Sequence, residues 1–489
     1  MPSGTVFAFG PFQLDTKARR LLREGEPIAL GTRQFDLLHL LVSRPGQILS
    51  KDVLIEAAWR DVAVTDNSLE QAISALRRLL TTSTGQPYIE TQARRGYRFA
   101  ADVTRLEGRE TDAALDALLA PHRMWIEGRA ALETLERDQI VHAREVFERV
   151  VAQVPEQAPA QVGLANACVM QFEMTRTDEA PDLSALEIAL HHAREACRLD
   201  AQYGEAWATL GFVLDRTGNH ADALAALRRA VTLENDNWRH HVRLSYASWG
   251  EERLREARRT LALLPGFPLA HWLVASVHVA RQALSAAERE LTAGIAAQAA
   301  ESGGQSRFSG VALHWLLGLI RLAEGDQDRA LEEFTRELSH EASGHLYARE
   351  CCANTWYAIG ALQLRRHCPD EAVAAFQQAV DRLPIHPMAR AGLAALSVPA
   401  LATSARLPVA RHVEGVAVSV DAAMARGVLL TMTGGDAGRA TAASLIDRAL
   451  ADAPPGNAGW LLPLEPLLAV PANPELWAPA LARLRIRAA

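Results

Sequence analysis

The sequence predicts an α+β domain over residues 1–103, a linker over 104–120 and an all-α repeat domain over 121–489. Three observations carry that division. The first hundred residues mix short period-2 runs with amphipathic helical stretches, whereas the remainder is helical and repetitive. Alanines recur at Ala189, Ala223 and Ala257, 34 residues apart. Charge divides too: residues 1–105 hold 14 Lys and Arg against 11 Asp and Glu, while the whole chain carries −7, so a basic head precedes an acidic body. A chain of 489 residues also exceeds what one core organises.

From Thr5 to Leu30, Phe7, Phe9, Phe12, Leu14, Leu21, Ile28 and Leu30 fall in short alternating runs broken by Gly10-Pro11 and Glu24-Gly25, which predicts a small antiparallel sheet. A helix with Phe35, Leu38, Leu41 and Val42 on one face follows, and Pro45-Gly46 ends it. Ser50 is placed to cap a second helix carrying Val53, Leu54, Ala57 and Ala58. The third helix, over Ser68–Leu80, sets Leu69, Ala72, Ile73, Leu76 and Leu80 on one stripe, and at 100° per residue its opposite face centres on Asn67, Gln71, Ser74 and Arg78. Two short strands, Tyr88–Thr91 and Gly96–Phe99, then form a hairpin through Gln92, Ala93, Arg94 and Arg95. Its tip has no large apolar residue to enter a core; Tyr97 and Phe99 behind it are assigned to the core.

Strands, three helices and a basic hairpin in this order resemble the winged-helix effector domain of OmpR/PhoB-type regulators. The matching text is L-G-T-R-Q-F-D-L-L-x-x-L at Leu30–Leu41, L-x-x-A-I-S-x-L-R-R-L-L at Leu69–Leu80 and I-E-T-Q-A-R-R-G-Y-R-F at Ile89–Phe99. In that family the third helix lies in the major groove and the wing reaches an adjacent minor groove. The resemblance therefore implies Asn67, Ser68, Gln71 and Ser74 as base-edge or nearby phosphate contacts, Arg77 and Arg78 near phosphates, and Arg94, Arg95 and Arg98 in the wing. Asn and Gln pair bidentately with adenine, Ser with several edges, and Arg with guanine or phosphate. Many response regulators carry an Arg pair where this chain has Ser74-Ala75, which implies a different base readout.

Past about Pro121, Trp207, Leu210, Gly211, Ala223, Leu227 and Ala230 recur as Trp356, Ile359, Gly360, Ala372, Phe376 and Ala379. This spacing is similar to the tetratricopeptide signature, whose period is about 34 residues. The resemblance implies stacked helix pairs that form a right-handed solenoid, with small residues where the helices cross. Ala257 and Ala330 are 73 residues apart, which calls for one degenerate repeat between them, over about Trp272–Gly294. Leu464–Leu484 is a candidate cap.

No catalytic constellation is present: there is no H-E-x-x-H, no P-loop around Gly434-Gly435-Asp436 and no G-x-S-x-G. Neither an enzyme nor a metal or other cofactor is expected. Five cysteines without a C-x-x-C pair, no secretory n-region and no run of about 18 apolar residues fit a reducing cytoplasm. The expected protein is a one-component transcriptional regulator without a receiver domain. Its expected partners are promoter DNA and, on the repeats, a protein, peptide or small effector; RNA polymerase and self-association are further candidates. The competing reading is an interaction scaffold or co-chaperone whose winged helix does not bind DNA.

Overall fold

The computed structural model describes residues 6–59, 66–81, 87–93, 95–106, 112–300, 310–397 and 419–489. The chain divides into two compact units, residues 1–123 and 124–489.

In the first unit, β1 (Val6–Phe9), β2 (Phe12–Asp15), β3 (Arg20–Arg23) and β4 (Glu26–Ile28) form the predicted small antiparallel sheet, as a meander. Alternation sends Phe7 and Phe9 of β1 and Phe12 and Leu14 of β2 to one buried face. α1 (Thr32–Ser43), β5 (Ile48–Leu49), α2 (Lys51–Ala58) and α3 (Asp66–Leu79) follow, and then β6 (Ile89–Gln92) and β7 (Gly96–Phe99). The second sheet has the order β5-β7-β6. Phe9 meets Phe99 edge to face at 5.1 Å, so the two sheets share one core with Leu38 and Leu41 of α1. Ser50 caps α2 as expected, its hydroxyl accepting from the Val53 amide at 3.4 Å.

One stretch differs from its sequence reading. Thr104–Leu106, inside the expected linker, is a strand, β8, paired antiparallel with β1. Without it β1 would be an open edge with unpaired backbone groups, and the Arg105 guanidinium covers the Phe7 ring at 5.6 Å. α4 (Asp112–Glu133) begins within the same stretch, and residues 107–111 lie outside the described residues.

Among the described residues, the second unit is built of helices. Beyond α4 and α5 (Arg137–Gln153), the pairs are α6 (Ala158–Thr175) with α7 (Leu183–Leu199), α8 (Gly204–Arg216) with α9 (His220–Leu233), and α10 (Trp238–Ala247) with α11 (Gly250–Leu263). They continue as α12 (Pro268–Ala280) with α13 (Leu284–Ala300), α14 (Leu313–Glu324) with α15 (Gln327–Leu338), and α16 (Ala348–Arg365) with α17 (Pro369–Arg382). The degenerate repeat called for between Ala257 and Ala330 is the pair α12 and α13. Ala287 of α13, fully buried, stands in for the anchor alanine. Glycines let the helices of a pair approach: a Cβ at Gly211 would come within 2.6 Å of Leu227, and one at Gly318 within 2.5 Å of Phe334.

α18 (Pro387–Leu396), α19 (Val420–Thr433), α20 (Gly435–Asp452) and α21 (Pro474–Arg487) complete the unit. The C-terminal segment returns to the middle of the array. Gln282 donates to the Leu481 carbonyl at 3.0 Å, and the Arg281 guanidinium donates to that of Ala488 at 2.8 and 2.6 Å. A second long-range closure joins the first repeats to the turn before α16: the Leu346 amide donates to the Leu135 carbonyl at 2.7 Å, and Tyr347 Oη donates to Glu173 Oε2 at 3.0 Å.

Candidate nucleic-acid interface

α3 is held by the stripe its sequence lays out. Leu69, Ile73, Leu76 and Leu80 are buried to 2% exposure or less. A helix anchored at these positions must turn the residues between them outward, and Glu70, Gln71, Ser74 and Arg78 are exposed and line one surface depression. Asn67 and Ser68 lie in the first turn, and Ser68 is half-buried. Lys51 of α2 reaches across to Glu70, with Nζ 3.0 Å from Oε1. An exposed pair adds about 0–1 kcal/mol at most, but it neutralises the carboxylate beside Gln71. Lys51 was missed in the sequence because its partner lies 19 residues away on another helix.

The arginines separate into two groups. Arg78 has no hydrogen-bonding or ion-pair partner among the described residues and lies on the same face as Gln71 and Ser74. Arg95 is exposed in the hairpin turn, where its amide donates to the Gln92 carbonyl at 2.9 Å. Arg77 instead faces the hairpin: Nε donates to the Ile89 carbonyl at 2.9 Å, Nη2 donates to Thr91 Oγ1 at 2.7 Å, and the guanidinium lies 5.8 Å from the Tyr97 ring centroid. Arg98 pairs across the ladder with Glu90 at 2.5 Å, in register with it. Arg94 lies outside the described residues.

Gly96 makes the hairpin possible. Its φ is +125°, and a Cβ there would overlap the Leu49 carbonyl of β5, so β7 can lie this close to β5 only with glycine at its start. The result is an exposed amide, hydroxyl and guanidinium on one helix face, with a basic turn on a neighbouring hairpin. Such groups can donate to and accept from base edges and phosphate oxygens.

Residues 25–99 match the family model described as transcriptional regulatory protein, C terminal. The first unit carries an OmpR/PhoB-type winged-helix domain. Residues 204–237, spanning α8 and α9, match a tetratricopeptide repeat model, so the helical unit is a repeat array. Among curated proteins, the chain is 41% identical over 97 residues to the cholera toxin transcriptional activator of Vibrio cholerae serotype O1, which covers 19% of this chain and 33% of that protein. It is 35% identical over 101 residues to the transcriptional regulator HilA of Salmonella typhimurium, covering 21% of this chain and 18% of that one. The chain thus spans a third or less of the length of these two relatives. Among solved structures, the DNA-binding domain of E. coli CadC is 30% identical, with 21% of this chain and 98% of that chain covered and a TM-score of 0.20. Among the described residues, no helix is long and apolar enough to cross a membrane.

Proposed function

We propose that the chain is a sequence-specific DNA-binding transcriptional regulator that acts in the cytoplasm without catalysis of its own. The observation that carries this reading is the exposed face of α3, where Gln71, Ser74 and Arg78 stand together in a winged-helix domain. In this reading α3 enters the major groove. Gln71 and Ser74, with Asn67 and Ser68 from the first turn, read base edges, and Arg78 meets a phosphate. Arg94 and Arg95 at the hairpin tip reach the backbone or the adjacent minor groove. Arg77 and Arg98, engaged with β6, act as positioning residues, a division supported by their bonds to Ile89, Thr91 and Glu90. The activator and regulator names of the two relatives support the same reading.

The repeat array receives a protein, a peptide or a small effector and sets self-association; RNA polymerase is a further partner of the DNA-bound state. Gel shifts of the full chain with genomic fragments, followed by footprinting, test the proposal. A sequence-dependent complex that survives excess unrelated competitor is the expected result. Complexes of equal strength on every fragment would contradict sequence-specific readout, and none on any fragment would leave the winged helix to a protein-binding role.

A further inference from the structure

The repeat unit holds a half-open cavity of about 720 Å³, within the ~300–1,000 Å³ that small-molecule pockets occupy. Its walls are aromatic, with Trp125, Phe212, Trp238, Trp272, Trp315 and Trp460 among them. Trp460, on the returning C-terminal segment, meets Trp272 of α12 edge to face at 5.5 Å, so the fold-back itself builds part of the wall. A peptide-binding repeat array presents an open groove to an extended chain. Here the closures at Leu135–Leu346 and at Ala488–Arg281 narrow the inner face to a chamber.

Three guanidinium groups, those of Arg129, Arg239 and Arg243, line one end of the chamber. Arg129 pairs with Glu205 at 2.9 Å, and Arg239 pairs with Glu133 at 2.5 Å. Burial pushes the Glu205 carboxyl up, but the charges of Arg129, Arg243 and Arg239 outweigh it and hold the group at about 2. Arg243, the third guanidinium, has no carboxylate within ion-pair distance among the described residues. Its Nη2 donates to Asn166 Oδ1 at 2.8 Å and its Nη1 to Thr209 Oγ1 at 3.1 Å, both neutral oxygens. Asn166 and Thr209 are themselves buried, on the apolar inner helices α6 and α8. Two buried polar side chains are thus committed to orienting a cation that burial pushes down to about 10. Desolvating a charge is costly, and Glu205, beyond ion-pair distance, offsets only part of that cost. A guanidinium has five N–H donors, so donors beyond these two remain for an occupant of the cavity that Arg243 lines.

We propose that this chamber is the effector site of the array and that it takes a small aromatic monoanion, with the anionic group on Arg243 and the flat body among the tryptophans. The single charge follows from the one guanidinium, Arg243, that lines the cavity with neutral oxygens as its hydrogen-bond partners. The aromatic body follows from the indole walls. This assignment rests on the reading of the array as the part that receives a signal.

Fluorescence titration of the full chain with two probes tests it. 8-Anilinonaphthalene-1-sulfonate is an aromatic monoanion, and N-phenyl-1-naphthylamine has a similar body without the charge. The wild-type chain should bind one equivalent of the anion about tenfold or more tighter than the neutral probe, the factor expected for charge-assisted hydrogen bonds. Arg243→Met should abolish that preference while keeping the neutral probe's affinity, and Arg243→Lys should retain part of it. Equal affinities for the two probes in the wild type overturn the assignment, and that comparison stands even where Arg243→Met fails to fold. A preference unchanged in a folded Arg243→Met overturns it as well. Repeating the titration with bound DNA separates the two levels. If the anion binds through Arg243 and DNA affinity does not move, the chamber stands and the effector reading falls. If DNA affinity responds equally in wild type and Arg243→Met, the effector reading stands and the chamber assignment falls.

Discussion

Arg77 donates from Nη2 to the Thr91 hydroxyl at 2.7 Å, which ties α3, the helix that presents Gln71, to β6, the strand that leads into the hairpin turn. The neighbouring bond from Nε to the Ile89 carbonyl, at 2.9 Å, makes the link two-pronged. The spacing between helix face and wing therefore depends on a side chain that need not touch DNA.

Arg77→Ala should loosen this link at a cost of about 1–3 kcal/mol, since it removes a charged donor from two acceptors. Hydrogen exchange of the full chain reads it directly: amides of α3 and β6 should exchange faster than in the wild type, while those of the repeat helices should not change. Unchanged exchange in α3 and β6 would mean that the bonds to Ile89 and Thr91 do not hold the two elements together.

Gly318→Ala should destabilise the repeat array by about 1–3 kcal/mol, the cost of overpacking a filled core. The added methyl would come within 2.5 Å of the fully buried Phe334 ring. Thermal unfolding of the full chain measures it, with a lower midpoint expected; a midpoint equal to wild type would show that Phe334 can yield.

The features legible in the sequence are those that period alone determines. Leu69, Ile73 and Leu76 define the buried side of α3 and so expose Gln71 and Ser74. The Gly and Phe anchors mark helix crossings in the clear repeats, and the 73-residue gap between Ala257 and Ala330 marks the degenerate one. Pairings between distant segments left no such trace. Arg77 and Arg78 are adjacent basic residues in the sequence, yet one bonds to β6 twelve residues on and the other faces solvent. Thr104–Leu106 reads as linker because three residues show no period, and only the open edge of β1 makes them a strand. Asn166 and Arg243 are 77 residues apart and meet only because stacked repeats share an inner face.

Replacing Glu465 by glutamine should stabilise the chain relative to wild type more at pH 8 than at pH 5. Burial raises the Glu465 carboxyl to about 7, above its ordinary value of 4.5. Between those values the folded chain holds a proton that the unfolded chain has released, so this group's contribution to stability falls as pH rises through that window. Glutamine keeps an acceptor for the Tyr357 hydroxyl, which donates to Glu465, and never ionises. The two unfolding midpoints, compared at each pH, cancel the contributions of other groups. A difference that does not grow between pH 5 and pH 8 would rule out a raised Glu465.

Arg94→Ala combined with Arg95→Ala should weaken binding to all DNA sequences alike. Removing one arginine from a phosphate flattens the dependence of log K on log salt by about 0.9, so the double substitution should lower the slope by up to about 1.8. An affinity and slope equal to wild type would remove the wing from the DNA.

The most direct test of the account is the ratio of affinities for a selected operator and a scrambled duplex, measured at one salt concentration for the wild type and for Gln71→Ala. Gln71 is exposed on the face opposite the buried stripe of α3, and a base-edge interaction there is worth about 1–3 kcal/mol of discrimination. The wild type should strongly prefer the operator, and Gln71→Ala should lose that much of the preference with its salt slope nearly unchanged. A wild type that binds both duplexes equally would contradict sequence-specific readout by this helix.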